Sequence, residues 1–244
     1  ANASWNPNLS NICSTLVASG SSVFVGGGFT TVNGSTPRSG IAKLDTAIGT
    51  ADASWSPAAT GSVLAIAVNN ADIYIGGAFP SLGRFTRNRV MRFSNTTGML
   101  DTVWNPNLGG TANCILVDGT DIYIGGTFTT VNGSETRNRA CKVNNTDGTV
   151  DPDWNPDFNN AVEVMVKIGS DLFIGGSFNT ANGGTARNRL AKVNNTDGTL
   201  DASWNANLNN IVYCLAVDGT DLYVGGGFTT VNGSTTRNRL AKFT

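Results

Sequence analysis

The string "DLYVGGGFTTVNGSTTRNRLAKFT", Asp221 to Thr244, nearly duplicates "DLFIGGSFNTANGGTARNRLAKVN", Asp171 to Asn194, which runs on into "NTDGTLDASWN". The same unit appears five times along the chain, and a fixed repeat of this length is the mark of a repeat architecture. Trp5, Trp55, Trp104, Trp154 and Trp204 are spaced 50, 49, 50 and 50 residues apart, and the glycine pairs starting at Gly26, Gly76, Gly125, Gly175 and Gly225 keep step. Within a unit the apolar residues alternate or form short β-branched runs bounded by turn dipeptides such as Asp218-Gly219 and Asn232-Gly233, and no window holds a helical period.

Each unit therefore reads as four short strands: an inner "VYCLAV", a second "DLYVGG", a third "RLAKV" and a fourth around "LDASWN". Turns at "DGT", "VNGS" and "NTDG" supply the positive φ angles that Gly and Asn tolerate. Four antiparallel strands repeated at about 50 residues is the pattern of a β-propeller blade, which buries both faces against its neighbours. A solenoid is the competing architecture, but it calls for atypical polar caps at its ends, and neither end here looks like one. The expectation is an all-β, five-bladed β-propeller forming one domain, 1–244, with units at about 5–54, 55–103, 104–153, 154–203, and 204–244 plus 1–4. The chain starts with a fourth strand and stops after a third, so the ring is expected to close by pairing "ANASWN" with "RLAKF" in a 3+1 blade. Closure of that kind hides two strand edges.

The combination of "LAK..N.DG.LD", "GG.F" and "VNG" over essentially the whole chain resembles the delta-60 repeat of a bacterial β-propeller family, and the glycine pair resembles kelch blades more distantly. The resemblance implies a propeller from a secreted or cell-surface protein and brings no catalytic residues with it.

Composition narrows the function. Charged residues are 14% of the chain and net charge is -1 with no run of Lys or Arg, so there is no basic stripe for a nucleic acid. No apolar run approaches the roughly 18 residues of a membrane span, and "ANASWNPNLS" has neither the charged start nor the apolar run of a signal peptide. The chain contains no His, which removes His-based triads and metal sites. Cys13, Cys114, Cys141 and Cys214 lack CxxC spacing. Their repeat equivalents are Val, Ala, Thr or Met, so they read as small buried thiols rather than disulfides. The turn "NNTDGTVD", Asn144 to Asp151, offers oxygen ligands around a Gly but lacks the alternating acidic pattern of a calcium loop. Eight Asn-X-Ser/Thr sequons, at Asn2, Asn8, Asn33, Asn95, Asn132, Asn144, Asn194 and Asn232, follow cheaply from turn chemistry. No enzyme, cofactor or metal is expected.

Residues present in every unit are expected to build the scaffold. Each Trp fits a seam between blades, with its indole N–H requiring a partner; the functional alternative is five exposed sugar platforms. Asp52, Asp101, Asp151 and Asp201 precede Trp by three residues, and Arg89, Arg139 and Arg189 lie twelve residues before an Asp, so one charge-assisted pair per blade is expected. Gly40 stands in place of that Arg in the first unit, and Asn2 in place of the Asp facing Arg239.

Departures from the repeat point instead to recognition. One inner-strand position holds Ser14, Leu64, Asn113, Glu163 and Tyr213, among which Asn113, Glu163 and Tyr213 are the candidate ligand-binding, channel-lining residues. In the second unit Arg84 and Phe85 occupy a loop that is Asn-Gly-Ser elsewhere, and Glu135, Asp153, Asp157 and Glu163 make the middle locally acidic. The expected role is a non-catalytic structural or interaction module, a scaffold or adhesive propeller of an exported or cell-surface protein, with an unidentified protein or glycan as partner. The alternative is a multivalent carbohydrate-binding lectin.

Overall fold

The computed structural model describes residues 2, 4–69, 71–82 and 85–244, without the side chains of 81, 82, 85 and 86. The first unit sets the pattern: β1 (Cys13–Ser19), β2 (Ser22–Gly27), β3 (Thr31–Val32), β4 (Thr36–Pro37) and β5 (Ile41–Asp45). β1, β2 and β5 form a three-stranded antiparallel sheet in that order, and β3 pairs with β4 as a short hairpin projecting between β2 and β5. The other four units repeat the arrangement, with inner strands Ser62–Val68, Ala112–Asp118, Val162–Ile168 and Val212–Asp218. Inner strands of consecutive units lie side by side in chain order, so the sheets stack laterally with their inner strands forming one wall.

The hydrophobic core sits in the seams between units. Phe24 and Ile41 of the first unit bury with Trp55, Val63 and Ile75 of the second, and Tyr123 and Ala140 of the third with Trp154, Val162 and Ile174 of the fourth. The two glycines of each pair do different work here. An added Cβ on Gly175 would stand 2.5 Å from Val212 Cγ1 of the next unit, so this glycine lets the neighbouring sheet dock. On Gly176 it would stand 2.2 Å from the carbonyl oxygen of Ala161 within the unit. There the inner strand carries a β-bulge, with register shifting between Val162 and Val164, and the bulge brings backbone onto backbone. All five units have the bulge.

Two expectations are corrected. The fourth strand is reduced to a single bridge, Leu44↔Ala51, Phe93↔Leu100, Val143↔Val150 and Val193↔Leu200 in the first four units. The repeated Asp ends it: Asp201 Oδ1 accepts hydrogen bonds from the backbone N–H groups of Ser203 and Trp204 at 2.9 and 3.2 Å, and that Asx turn pulls the chain off the sheet and into the seam. The 3+1 closure is not formed among the described residues, and Ala1 and Ala3 of the expected "ANASWN" strand lie outside them. Among the described residues Leu240–Phe243 pairs only with Asp221–Gly226, at the edge of the fifth unit's sheet. Leu240 is 65% exposed, whereas its equivalents Ile41, Val90, Ala140 and Leu190 are fully buried. At the other end Ile12 and Leu16 are 71% and 67% exposed. The array is open, with one uncovered face at each end.

The cysteines follow from this. Cys141 is buried and Cys114 half-buried, but Cys13 and Cys214 lie on the uncovered inner strands and are exposed, contrary to the expectation of four buried thiols. Desolvation raises the Cys141 thiol well above its usual range, and desolvation with the nearby Glu163 carboxylate raises Cys114 to about 12.

Candidate functional site

Each tryptophan stitches one seam. Trp55, Trp104 and Trp154 are fully buried. Their rings meet Phe24, Tyr74 and Tyr123 of the preceding unit edge-on, at centroid distances of 5.3, 5.2 and 5.3 Å. Their indole N–H groups donate to the carbonyls of Ser94, Asn144 and Asn194, at the end of the third strand of their own unit. Trp5 makes the same bond to Asp45 at 3.0 Å but is only half-buried, and half-buried Trp204 meets Phe173 and Phe243 edge-on. Three of the five indoles thus present no surface to a sugar.

The repeated carboxylates pair with a different cation from the one expected. Asp52 lies 3.6 Å from Lys43, Asp151 2.5 Å from Lys142, Asp201 2.9 Å from Lys192, and Asp101 contacts Arg92. These cations sit on the third strand, nine residues before each Asp. The same side chains reach the next unit: Lys43 donates to the carbonyl of Asn95 and Lys142 to that of Thr196. Arg89, Arg139, Arg189 and Arg239 have φ near +70° (71°, 69°, 68° and 69°), and the last three donate to the carbonyls of Thr127, Ser177 and Gly227. Gly40 has φ +73°, so it replaces an arginine where the backbone is left-handed and Gly is the least strained choice. Asn2 keeps the Asp turn without its charge, because Oδ1 accepts from Ser4 N–H and Oγ–H as Asp52 Oδ1 does from Ser54. In the "NNTDGTVD" turn the ligand-type oxygens are spent locally: Asn144 Oδ1 accepts from the N–H groups of Thr146 and Asp147, and Asp147 Oδ1 from Thr149.

All four paired carboxylates titrate low. For Asp201 the Ser203 hydroxyl, then Lys192, holds the carboxyl well below its usual range, and Asp52 is lowered first by Ser54. For Asp101 and Asp151 burial acts to raise the value but is outweighed by the hydrogen bonds and the cation. A depressed folded-state pKa contributes stability that is complete above the unfolded pKa and is lost as pH falls through the folded one. The wild-type melting temperature is therefore expected to drop from about pH 5 downward, and Asp201→Asn to show a smaller drop between pH 7 and pH 3. Melting curves at both values check this; an unchanged drop in the variant contradicts the assignment.

The variable position falls on the bulge. Ser14, Leu64, Asn113, Glu163 and Tyr213 are the extra residues skipped by the ladder, which frees their side chains from cross-strand pairing and re-aims them. Asn113 and Glu163 are brought together: Asn113 Nδ2 donates to Glu163 Oε2 at 2.9 Å and to the carbonyl of Val162 at 3.1 Å. Both are half-buried, and desolvation raises the Glu163 pKa against the lowering effect of Asn113. Tyr213, one unit further, is 62% exposed.

Sequence reasoning missed a second repeated feature. Open clefts of about 360 and 410 Å³ lie at equivalent places, one lined by Asn138, Asp157 and Asn159 and the other by Asn188, Asn207 and Asn209. Each is spanned by a side-chain hydrogen bond, Asn138 to Asp157 and Asn188 to Asn207, both 2.7 Å. The recurring "RNR" was the available signal. Arg84 lies outside the described residues, as does the Phe85 side chain.

Residues 121–153 and 171–203 match the family model described as domain of unknown function (DUF5122) beta-propeller. No curated protein matches the chain. Among solved structures, the WD40 beta propeller domain of Doa1 is similar over 90% of this chain and 64% of that one, with TM-score 0.61 and 10% identity. The computationally designed Ika8 protein is similar over 91% of this chain and 60% of its own, with TM-score 0.56 and 13% identity. The designed Ika4 protein is similar over 75% and 91%, with TM-score 0.50 and 11% identity. The chain thus spans about three fifths of the length of Ika8 and slightly more of the Doa1 domain. Repeated helix-free sheets, seam packing and these likenesses together make the chain a β-propeller repeat protein.

Proposed function

We propose that the chain is a non-catalytic interaction module of an exported or cell-surface protein, engaging its partner along the inner-strand bulges. One observation carries this reading: the recurring Trp, Asp, Lys and Arg side chains spend their polar groups on seams and turns, and sequence variation collects at the residue the ladder skips. The half-buried Asn113–Glu163 pair and the exposed Tyr213 ring offer a hydrogen-bonding and an aromatic contact on adjacent units, the mixture favoured at recognition sites. Among the described residues no three metal-ligating side chains gather, and no helix is long and apolar enough to cross a membrane. Immobilised protein is challenged with candidate surface polypeptides, alongside a Glu163→Gln/Tyr213→Ala variant. The variant is expected to melt like the wild type and to lose the partner; retained binding refutes the bulge site.

A lectin is the second reading, favoured by the two equivalent Asn-lined clefts, which multivalency would turn from weak to useful sites. A glycan array at high protein concentration, with wild type and an Asn138→Ala/Asn188→Ala variant, tests it. No signal above background removes the lectin.

A further inference from the structure

The two uncovered faces are copies of the two sides of every internal seam. At the first seam, a Cβ on Gly26 would lie 2.9 Å from Thr15 of its own unit and 2.6 Å from Val63 of the next. At the third, Gly125 has Cys114 at 2.7 Å and Val162 at 2.5 Å; at the fourth, Gly175 has Val164 at 3.0 Å and Val212 at 2.5 Å. At these three seams one side chain from each unit converges on the same glycine, whereas Gly76 at the second seam has Ala112 and Ile115 nearest, both of the third unit. In the fifth unit Gly225 has Cys214 Sγ at 2.5 Å and no side chain from any other unit within 4 Å. The residue that a docking unit would bring to that spot is the equivalent of Val63, Val162 and Val212, and in the first unit it is Cys13.

The seam pairs read Thr15/Val63, Ala65/Ala112, Cys114/Val162 and Val164/Val212 inside the array, and Cys214/Cys13 across the uncovered faces. Only that last pair carries two thiols, and these are the only exposed cysteines among the described residues. The aromatic stitch matches as well. Tyr223 stands where Phe24, Tyr74, Tyr123 and Phe173 receive a tryptophan, and it is half-buried without one; Trp5 is half-buried and meets no aromatic ring among the described residues.

We propose that the fifth unit of one molecule docks the first unit of a second copy, head to tail, and that Cys214 and Cys13 of the two molecules form a disulfide across this seam. A second copy is the occupant because this chain's own first and fifth units carry the two complementary sides of the seam, each with an exposed thiol at the matching position. Two different faces meet, so the contact is heterologous and propagates into larger rings or filaments. Bond formation is an exchange. A thiolate of one cysteine displaces one thiol from a small disulfide of the oxidised-glutathione class, and the second cysteine then displaces the other, giving one protein disulfide and two small thiols. At the first, third and fourth seams the equivalent side chains both lie within 3.0 Å of one Cβ position, which makes them cross-seam neighbours, as the two cysteines of a disulfide must be.

The test is oxidation of the full chain with oxidised glutathione, read on non-reducing gels and by mapping the linked peptides. Wild type is expected to form reductant-sensitive dimers and a ladder above them, joined Cys13 to Cys214. Cys13→Ser or Cys214→Ser alone should form none, whereas a mixture of the two variants should stop at the dimer, because each molecule has one competent face. Leu16→Asp, at an exposed position on the docking face, should suppress the ladder while leaving melting unchanged. Symmetric Cys13–Cys13 or Cys214–Cys214 links, a Cys13–Cys214 link within a monomer, or no linkage would each overturn the proposal.

Discussion

Trp154→Ala is expected to destabilise the protein by about 4 kcal/mol, the usual range for removing a large buried aromatic. For a chain of this size that corresponds to a fall in Tm of about 8–16 °C. Trp154 fills the seam between the third and fourth units: fully buried, edge-on to Tyr123, with its indole N–H on Asn194. Truncation leaves a cavity and removes the indole hydrogen bond to the Asn194 carbonyl, which keeps only the N–H of Gly198. Stability of a repeat array is close to a sum of unit and seam terms, so weakening a middle seam also uncouples units one to three from units four and five. The melt should broaden or split into two transitions. A single sharp transition near the wild-type temperature would mean that the seams do not carry the cooperativity.

Gly176→Ala is expected to cost about 3 kcal/mol, at the upper end of the overpacking range. The added methyl lands 2.2 Å from the Ala161 carbonyl oxygen, and backbone in a bulged ladder cannot swing aside as a side chain can. Gly169→Ala serves as the control. That glycine has φ +61° with nothing within 4 Å of a new Cβ, so only left-handed strain of about 1 kcal/mol applies. Chemical denaturation of both variants checks the order; equal losses would show that the glycine pair is not set by backbone contact at the bulge.

The inner, second and third strands and the turns between them were legible in the sequence because alternation and turn dipeptides report backbone conformation directly. The fourth strand was not. Its residues alternate as a strand should, but Asp201 and its equivalents divert the chain through side-chain hydrogen bonds that leave no mark on hydrophobic period. The cation partner was misread for a related reason: Arg139 and its equivalents share the repeat, yet their left-handed backbone turns them to neighbouring carbonyls. Gly40 in that column was the available clue. Lys43, Arg92, Lys142 and Lys192, always nine residues before the Asp, were the better candidates. The bulge explains why the Ser14-to-Tyr213 position varies, but a skipped residue is visible only once the ladder register is known. The exposure of Cys13 and Cys214 was beyond sequence reasoning for another reason, since their equivalents in the other units are covered by a neighbour that the two end faces lack.

Selective thiol labelling tests most directly that the five units form an open array held by its internal seams. Reduced, dilute protein is treated with a maleimide under native conditions and mapped by mass spectrometry. The open array predicts rapid modification of Cys13 and Cys214, with Cys114 and Cys141 modified only after unfolding. Protection of Cys13 and Cys214 in dilute monomer would contradict it, because it would mean that the first and fifth units already cover one another.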